Sequence, residues 1–241
     1  MPCADQTAPD APSDSNRVTR WKILSEAFCW TCAAMGIALM TGFTLTSIML
    51  KSPSAQVVSG EILIVGVSVL VSSLVFLFAT WLRDEWIKRP GLTASRHATT
   101  SGRNAVFAVC LLGAGLYGLL IASFNLKIYP SIRSFYAAAS PGALLLLTVA
   151  VAIMGPISEE LFFRNWLWRS LEQTSASLPF VLATTTIFWL FAHIASGPLN
   201  MLTLVPLGLM LALARHWIGS VKASIVFHVV ANGAVLLAYR L

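Results

Sequence analysis

Charge is what this chain has least of. Asp, Glu, Lys and Arg make up 11% of its 241 residues, where ordinary soluble domains carry about 25%. With 57% hydrophobic residues and a mean hydropathy of +0.77, there is too little polar surface to clothe a water-soluble fold. That shortage excludes an ordinary soluble domain and calls for helices that face lipid or one another. Cysteine is scarce as well. Cys3, Cys29, Cys32 and Cys110 show no pairing pattern, and Cys29-x-x-Cys32 lies inside an apolar run. The pair therefore reads as small packing residues rather than as a redox or metal motif. No internal repeat is present, which leaves an inverted-repeat transporter without support. The net charge of +6 is spread over the segments between apolar runs. That is a topology signal rather than a nucleic-acid surface.

What is present is a succession of apolar runs. Ala27–Leu50 is too long for the core of a cleavable signal peptide and reads as a first span. Further spans are predicted over about Ile62–Leu82, Ala105–Phe124, Ala143–Trp168, Pro179–Ile194, Leu199–Ala214 (bent at Pro206) and Ala223–Tyr239. The last three are short against the roughly 20 residues that cross a bilayer. The expected fold class is thus all-α, a polytopic membrane bundle of about seven transmembrane helices. Residues 1–22, rich in Asp, Pro, Ser and Ala at their start, are expected to be a disordered cytoplasmic tail. Residues 23–142 hold helices 1–3, and residues 143–241 hold helices 4–7.

Lys and Arg counts orient the bundle. One face carries Arg17, Arg20, Lys22, Arg83, Lys88, Arg89, Arg96, Arg103, Arg164, Arg169, Arg215 and Lys222. The other has Lys51, Lys127, Arg133 and Arg240. Twelve against four places the N-terminus in the cytoplasm and the C-terminus outside. The Trp-rich stretch Asn165-Trp166-Leu167-Trp168-Arg169 is expected to form an interfacial belt.

One stretch breaks the apolar pattern. Fourteen uncharged residues, Ala143 to Pro156, lead into Ile157-Ser158-Glu159-Glu160-Leu161-Phe162-Phe163-Arg164. A charge at a membrane-helix centre costs roughly 2.5–3.5 kcal/mol on insertion scales, so adjacent carboxylates there require a cause. Glu160 and Arg164 are i and i+4 and share a helical face. Glu159 lies about 100° around the axis and is left to face something else.

Two of the four histidines fall within spans. His193 closes Phe188-Trp189-Leu190-Phe191-Ala192-His193, and His228 precedes Asn232 at i, i+4. His97 and His216 sit in or beside basic segments and read as solvated or headgroup-facing. At 1.5 Å per residue from the cytoplasmic span ends, Glu159, His193, His228 and Asn232 lie roughly 15, 21, 9 and 15 Å deep. These depths bracket one layer of a core about 30 Å thick. A carboxylate beside a neutral imidazole can take a proton from water, and a His with an Asn can donate to a developing oxyanion. Glu159, His193 and His228 could instead hold zinc, although no local ligand pair such as H-E-x-x-H is present. A buried ion network, a packing histidine and interhelical hydrogen bonding are the structural alternatives.

Glu-Glu-x-x-x-Arg, then aromatic-x-x-x-His, then His-x-x-x-Asn, in that order on successive C-terminal spans, resembles the CPBP family. These are the type II CAAX prenyl protease and bacteriocin-processing (Abi) intramembrane endopeptidases. The resemblance covers about residues 143–241. It departs mildly at Trp189, where the family more often has Phe. It implies that Glu159 with His193 activates water, and that His228 with Asn232 forms the oxyanion hole. Glu160 and Arg164 would hold the first Glu in place. No cofactor is expected, because better-understood members look like metal-independent glutamate proteases; zinc is the weaker alternative. The implied partners are the bilayer and a membrane-anchored or lipidated (CAAX-like) peptide or protein, in a bacterial plasma membrane. A non-catalytic immunity or partner-binding protein of the same fold is the competing reading, although every proposed catalytic position is filled.

Overall fold

The computed structural model describes residues 14–49, 57–86, 100–128 and 136–241. Among them run seven long helices and no strand: α1 Asp14–Met49, α2 Val57–Trp86, α3 Thr100–Ile128, α4 Pro141–Glu172, α5 Leu178–Ala192, α6 Pro198–Ile218 and α7 Val221–Arg240. Proline opens α4 and α6 at the first helical position (Pro141, Pro198), where its fixed φ and missing N–H carry no penalty. All but α5 are long and apolar enough to cross a membrane. At 15 residues α5 is about 22 Å long. A single turn of tighter helix, Ile194–Ser196, joins it to α6.

Two expectations are corrected at this level. The segment 14–22, assigned to a disordered tail, is the first part of α1; residues 1–13 lie outside the described residues. Trp166 and Trp168 are 4% and 1% exposed, so they pack inside the bundle instead of forming a belt. Among the described residues the exposed tryptophans are Trp21, Trp81 and Trp217.

The bundle is built around α4, whose span is 44% buried against at most 28% for any other. On α2, Phe76 inserts against Phe162 and Phe163, with centroids at 4.8 and 5.4 Å. The outer surface is apolar, with Phe43, Leu112, Leu116 and Leu202 each about two-thirds exposed or more. In a membrane such a surface faces lipid at no cost.

Without a hydrophobic drive between helices, close packing has to supply cohesion, and small residues allow it. Ala114, Gly118 and Ala122 repeat at i, i+4, i+8 along the face of α3 that meets α7. Ala114 and Ala122 are fully buried. A Cβ on Gly118 would land on the Ala231 carbonyl oxygen and 2.9 Å from Ala234 Cβ. At one end, Arg20 of α1 donates through Nε to Thr174 Oγ1 (3.0 Å) and through Nη2 to Thr174 O (2.8 Å). Those bonds tie α1 to the turn that follows α4.

Candidate active site

The winding of α4 sets where the two carboxylates point. Its α-helical start passes into a π-helical stretch at Thr148–Met154, returns to α-helix over Gly155–Glu159, and widens again over Glu160–Leu167. Wide π turns inside α-helices recur at functional sites. Glu159 and Glu160 straddle the third of these junctions, where the second π stretch begins, and their side chains enter different networks.

Glu159 looks towards α5. The indole Nε1–H of Trp189 donates to Glu159 Oε2 at 2.6 Å. His193 Nε2 lies 3.9 Å from the same oxygen, beyond direct hydrogen-bond reach. His193 Nδ1 sits 2.9 Å from the Trp189 carbonyl oxygen. A carbonyl only accepts, so Nδ1 carries a proton, and in the neutral ring Nε2 turns its lone pair towards Glu159. The Glu159 and His193 side chains are 18% and 26% exposed. Both reach the wall of a cavity of about 480 Å³ between α1 and α2. Apart from Ser68 and Ser72, the walls that α1 and α2 supply are apolar, with Leu39, Phe43, Val69 and Phe76 among them.

Glu160 looks the other way, into the core. Its Oε1 accepts from Arg164 Nη1 at 3.2 Å and faces His228 Nδ1 at 3.1 Å. All three side chains are buried. Because that oxygen already accepts from a guanidinium, His228 Nδ1 is the donor to it. Arg164 Nη2 donates to the Gly208 carbonyl at 3.2 Å, and Arg215 Nε donates to the Arg164 carbonyl at 3.1 Å. Glu160 Oε2 and Arg164 Nε are buried without a hydrogen-bond partner among the described residues.

Trp189 joins the two networks. It is fully buried, with its ring centroid 4.5 Å from that of His193 and 5.6 Å from that of His228. The Arg164 guanidinium lies 5.0 Å over it, a cation–π distance. On α6, Gly208 has no Cβ, and one added there would sit 3.0 Å from Trp189 Cε3.

The expected i, i+4 pairing of Glu160 with Arg164 is therefore present, and Glu159 and His193 come to one cavity wall. Other expectations shift. His193 is the cap that ends α5, not a residue within the span. Arg164, counted with a cytoplasmic loop, is buried inside α4, which makes the charge bias eleven to four. His228 and Asn232 share a face of α7 but bond to different partners on α4. Asn232 Nδ2 donates to the Val151 carbonyl at 2.9 Å, inside the first π stretch. The zinc alternative needs Glu159, His193 and His228 around one point. No group of three His, Cys, Asp or Glu able to hold a metal occurs among the described residues. Sequence reasoning gave Trp189 no role beyond the aromatic position of its motif and missed Gly208. The available signal was that a buried indole N–H usually finds an acceptor, which for Trp189 is Glu159.

Fold and site together define a helical membrane bundle with a carboxylate–imidazole pair at the wall of an apolar cavity. Over residues 141–234 the chain matches the family described as type II CAAX prenyl endopeptidase Rce1-like. The matched region runs from the start of α4 through most of α7 and agrees with the resemblance to the CPBP family that the motifs carry. No curated protein and no solved structure matches the chain.

Proposed function

We propose that the chain is an intramembrane endopeptidase. It hydrolyses a peptide bond of a membrane-anchored or lipidated, CAAX-like protein, using water activated by Glu159 and His193. The observation that carries this reading is the 3.9 Å separation of Glu159 Oε2 and His193 Nε2 at the wall of an apolar cavity. Two acceptors at that distance can share a water that donates to both. Glu159 takes one proton as the oxygen attacks the scissile carbonyl, and His193 holds the other hydrogen and fixes the line of attack. The C–N bond breaks as Glu159 returns its proton to the leaving amine.

The developing oxyanion needs donors. Asn232 spends one N–H on Val151 O, and the second hydrogen on that nitrogen is free of that bond. His228, with Nδ1–H given to Glu160, donates a second bond from Nε2 when its ring is doubly protonated. Glu160 and Arg164 keep this half of the site rigid. In this reading the catalytic residues are Glu159, His193, His228 and Asn232, with no metal, in a bacterial plasma membrane and with the N-terminus in the cytoplasm.

The test is mass spectrometry of a farnesylated peptide ending in a CAAX sequence after incubation with the purified protein in detergent. A peptide shortened at its C-terminus is the expected product. An intact peptide, together with unchanged C-termini of membrane proteins in cells with and without the gene, would favour the non-catalytic reading.

A further inference from the structure

We propose that Trp189 is a positioning residue for Glu159, acting through its indole N–H and not through its bulk. The inference rests on Glu159 being the general base of the reading above.

A carboxylate on a helix has several rotamers, and water activation requires one oxygen to stay turned to His193. Within the bundle few groups can hold it there. Ser158, its neighbour, bonds back to Gly155 O. Glu160 and Arg164 are engaged with each other and with His228 and Gly208. The one side-chain donor bonded to Glu159 among the described residues is Trp189 Nε1, at 2.6 Å. It contacts Oε2, the oxygen that faces His193.

The ring that carries this donor is itself immobilised. The His193 ring, the His228 ring and the Arg164 guanidinium pack around it. On α6 the missing Cβ of Gly208 leaves just the room the six-membered ring occupies. Turning the indole over would carry Nε1–H away from Glu159 and displace those neighbours together. The same residue offers its backbone carbonyl to His193 Nδ1. Trp189 thus sets the orientation of both partners, the carboxylate by its side chain and the imidazole by its main chain. A phenyl ring would fill the space and could not donate.

The test combines a spectroscopic readout with kinetics. In full-length protein labelled with ¹⁵N-tryptophan in detergent, Trp189→Phe identifies the Trp189 indole N–H signal by its loss. That signal should lie downfield of an unbonded indole and move upfield in Glu159→Ala. Replacing Trp189 by 3-benzothienylalanine keeps the shape and removes only the N–H. With the farnesylated peptide as probe, this protein should retain the wild-type melting temperature and lose kcat about tenfold or more. Its KM should stay within about twofold. A signal unmoved by Glu159→Ala, or wild-type kcat in the folded isostere, would overturn the proposal. Glu159→Gln separates this from the parent reading: full turnover there removes the general base itself, whatever the indole signal does.

Discussion

Glu159 and Glu160 are adjacent in sequence, yet their carboxylates end in separate networks, one at a cavity wall with Trp189 and His193, the other sealed in the core with Arg164 and His228. The first is partly open and the second has no exposure. Several consequences of that division can be measured.

Glu160 and Arg164 form a buried ion pair. Removing one partner strands the other charge, which typically costs about 3–5 kcal/mol. Glu160→Gln and Arg164→Met should each lower the melting temperature in detergent, and activity should fall as a consequence. The double replacement should recover part of the loss. Single variants with wild-type stability would show that the pair is not a structural element.

The α3–α7 seam makes a second, independent prediction. Gly118→Ala places a methyl group on the Ala231 carbonyl and should destabilise by about 1–3 kcal/mol through overpacking. Gly36→Ala is the control, since a Cβ there meets nothing within 4 Å and should be neutral or slightly stabilising. Equal thermal shifts for the two variants would contradict the packing argument.

The helix pattern was legible in the sequence because lipid imposes it: each long apolar run became a helix. The Glu160–Arg164 pair was legible because i, i+4 neighbours still meet on a widened helix. Other features depend on tertiary structure and left no local trace. The π turns in α4 obey no spacing rule visible in Thr148–Met154. Trp166 and Trp168 looked interfacial because they stand beside Arg169, but α4 is the central helix and buries them. His228 and Asn232 looked like one unit by spacing, whereas α4 offers each a different acceptor. The role of Trp189 needed the α4–α5 contact, which no single segment encodes.

Orientation is tested by reporter fusions. With Arg164 withdrawn from the count, eleven Lys and Arg still face four. Fusions after Leu50, Leu82 and Leu241 should report outside, inside and outside. A cytoplasmic C-terminus would mean that one of the seven helices does not cross, and α5, at 15 residues, is the first to suspect.

Metal dependence has a direct assay. The described residues hold no group of three His, Cys, Asp or Glu placed to bind a metal, and the amide of Asn232 is a poor zinc ligand. Cleavage should therefore survive a strong chelator. Stoichiometric zinc in the purified protein, with activity lost on its removal and restored on its return, would contradict this.

The central claim is that Glu159 does chemistry while Glu160 holds structure. The most direct measurement compares cleavage of the farnesylated CAAX peptide and thermal stability for wild type, Glu159→Gln and Glu160→Gln in one detergent. Glu159→Gln is nearly isosteric and leaves the Glu160–Arg164 pair intact, so it should melt like wild type and show no turnover. Glu160→Gln should melt lower. A folded Glu159→Gln with wild-type turnover would contradict the account, and a folded but inactive Glu160→Gln beside an unfolded Glu159→Gln would reverse the two roles.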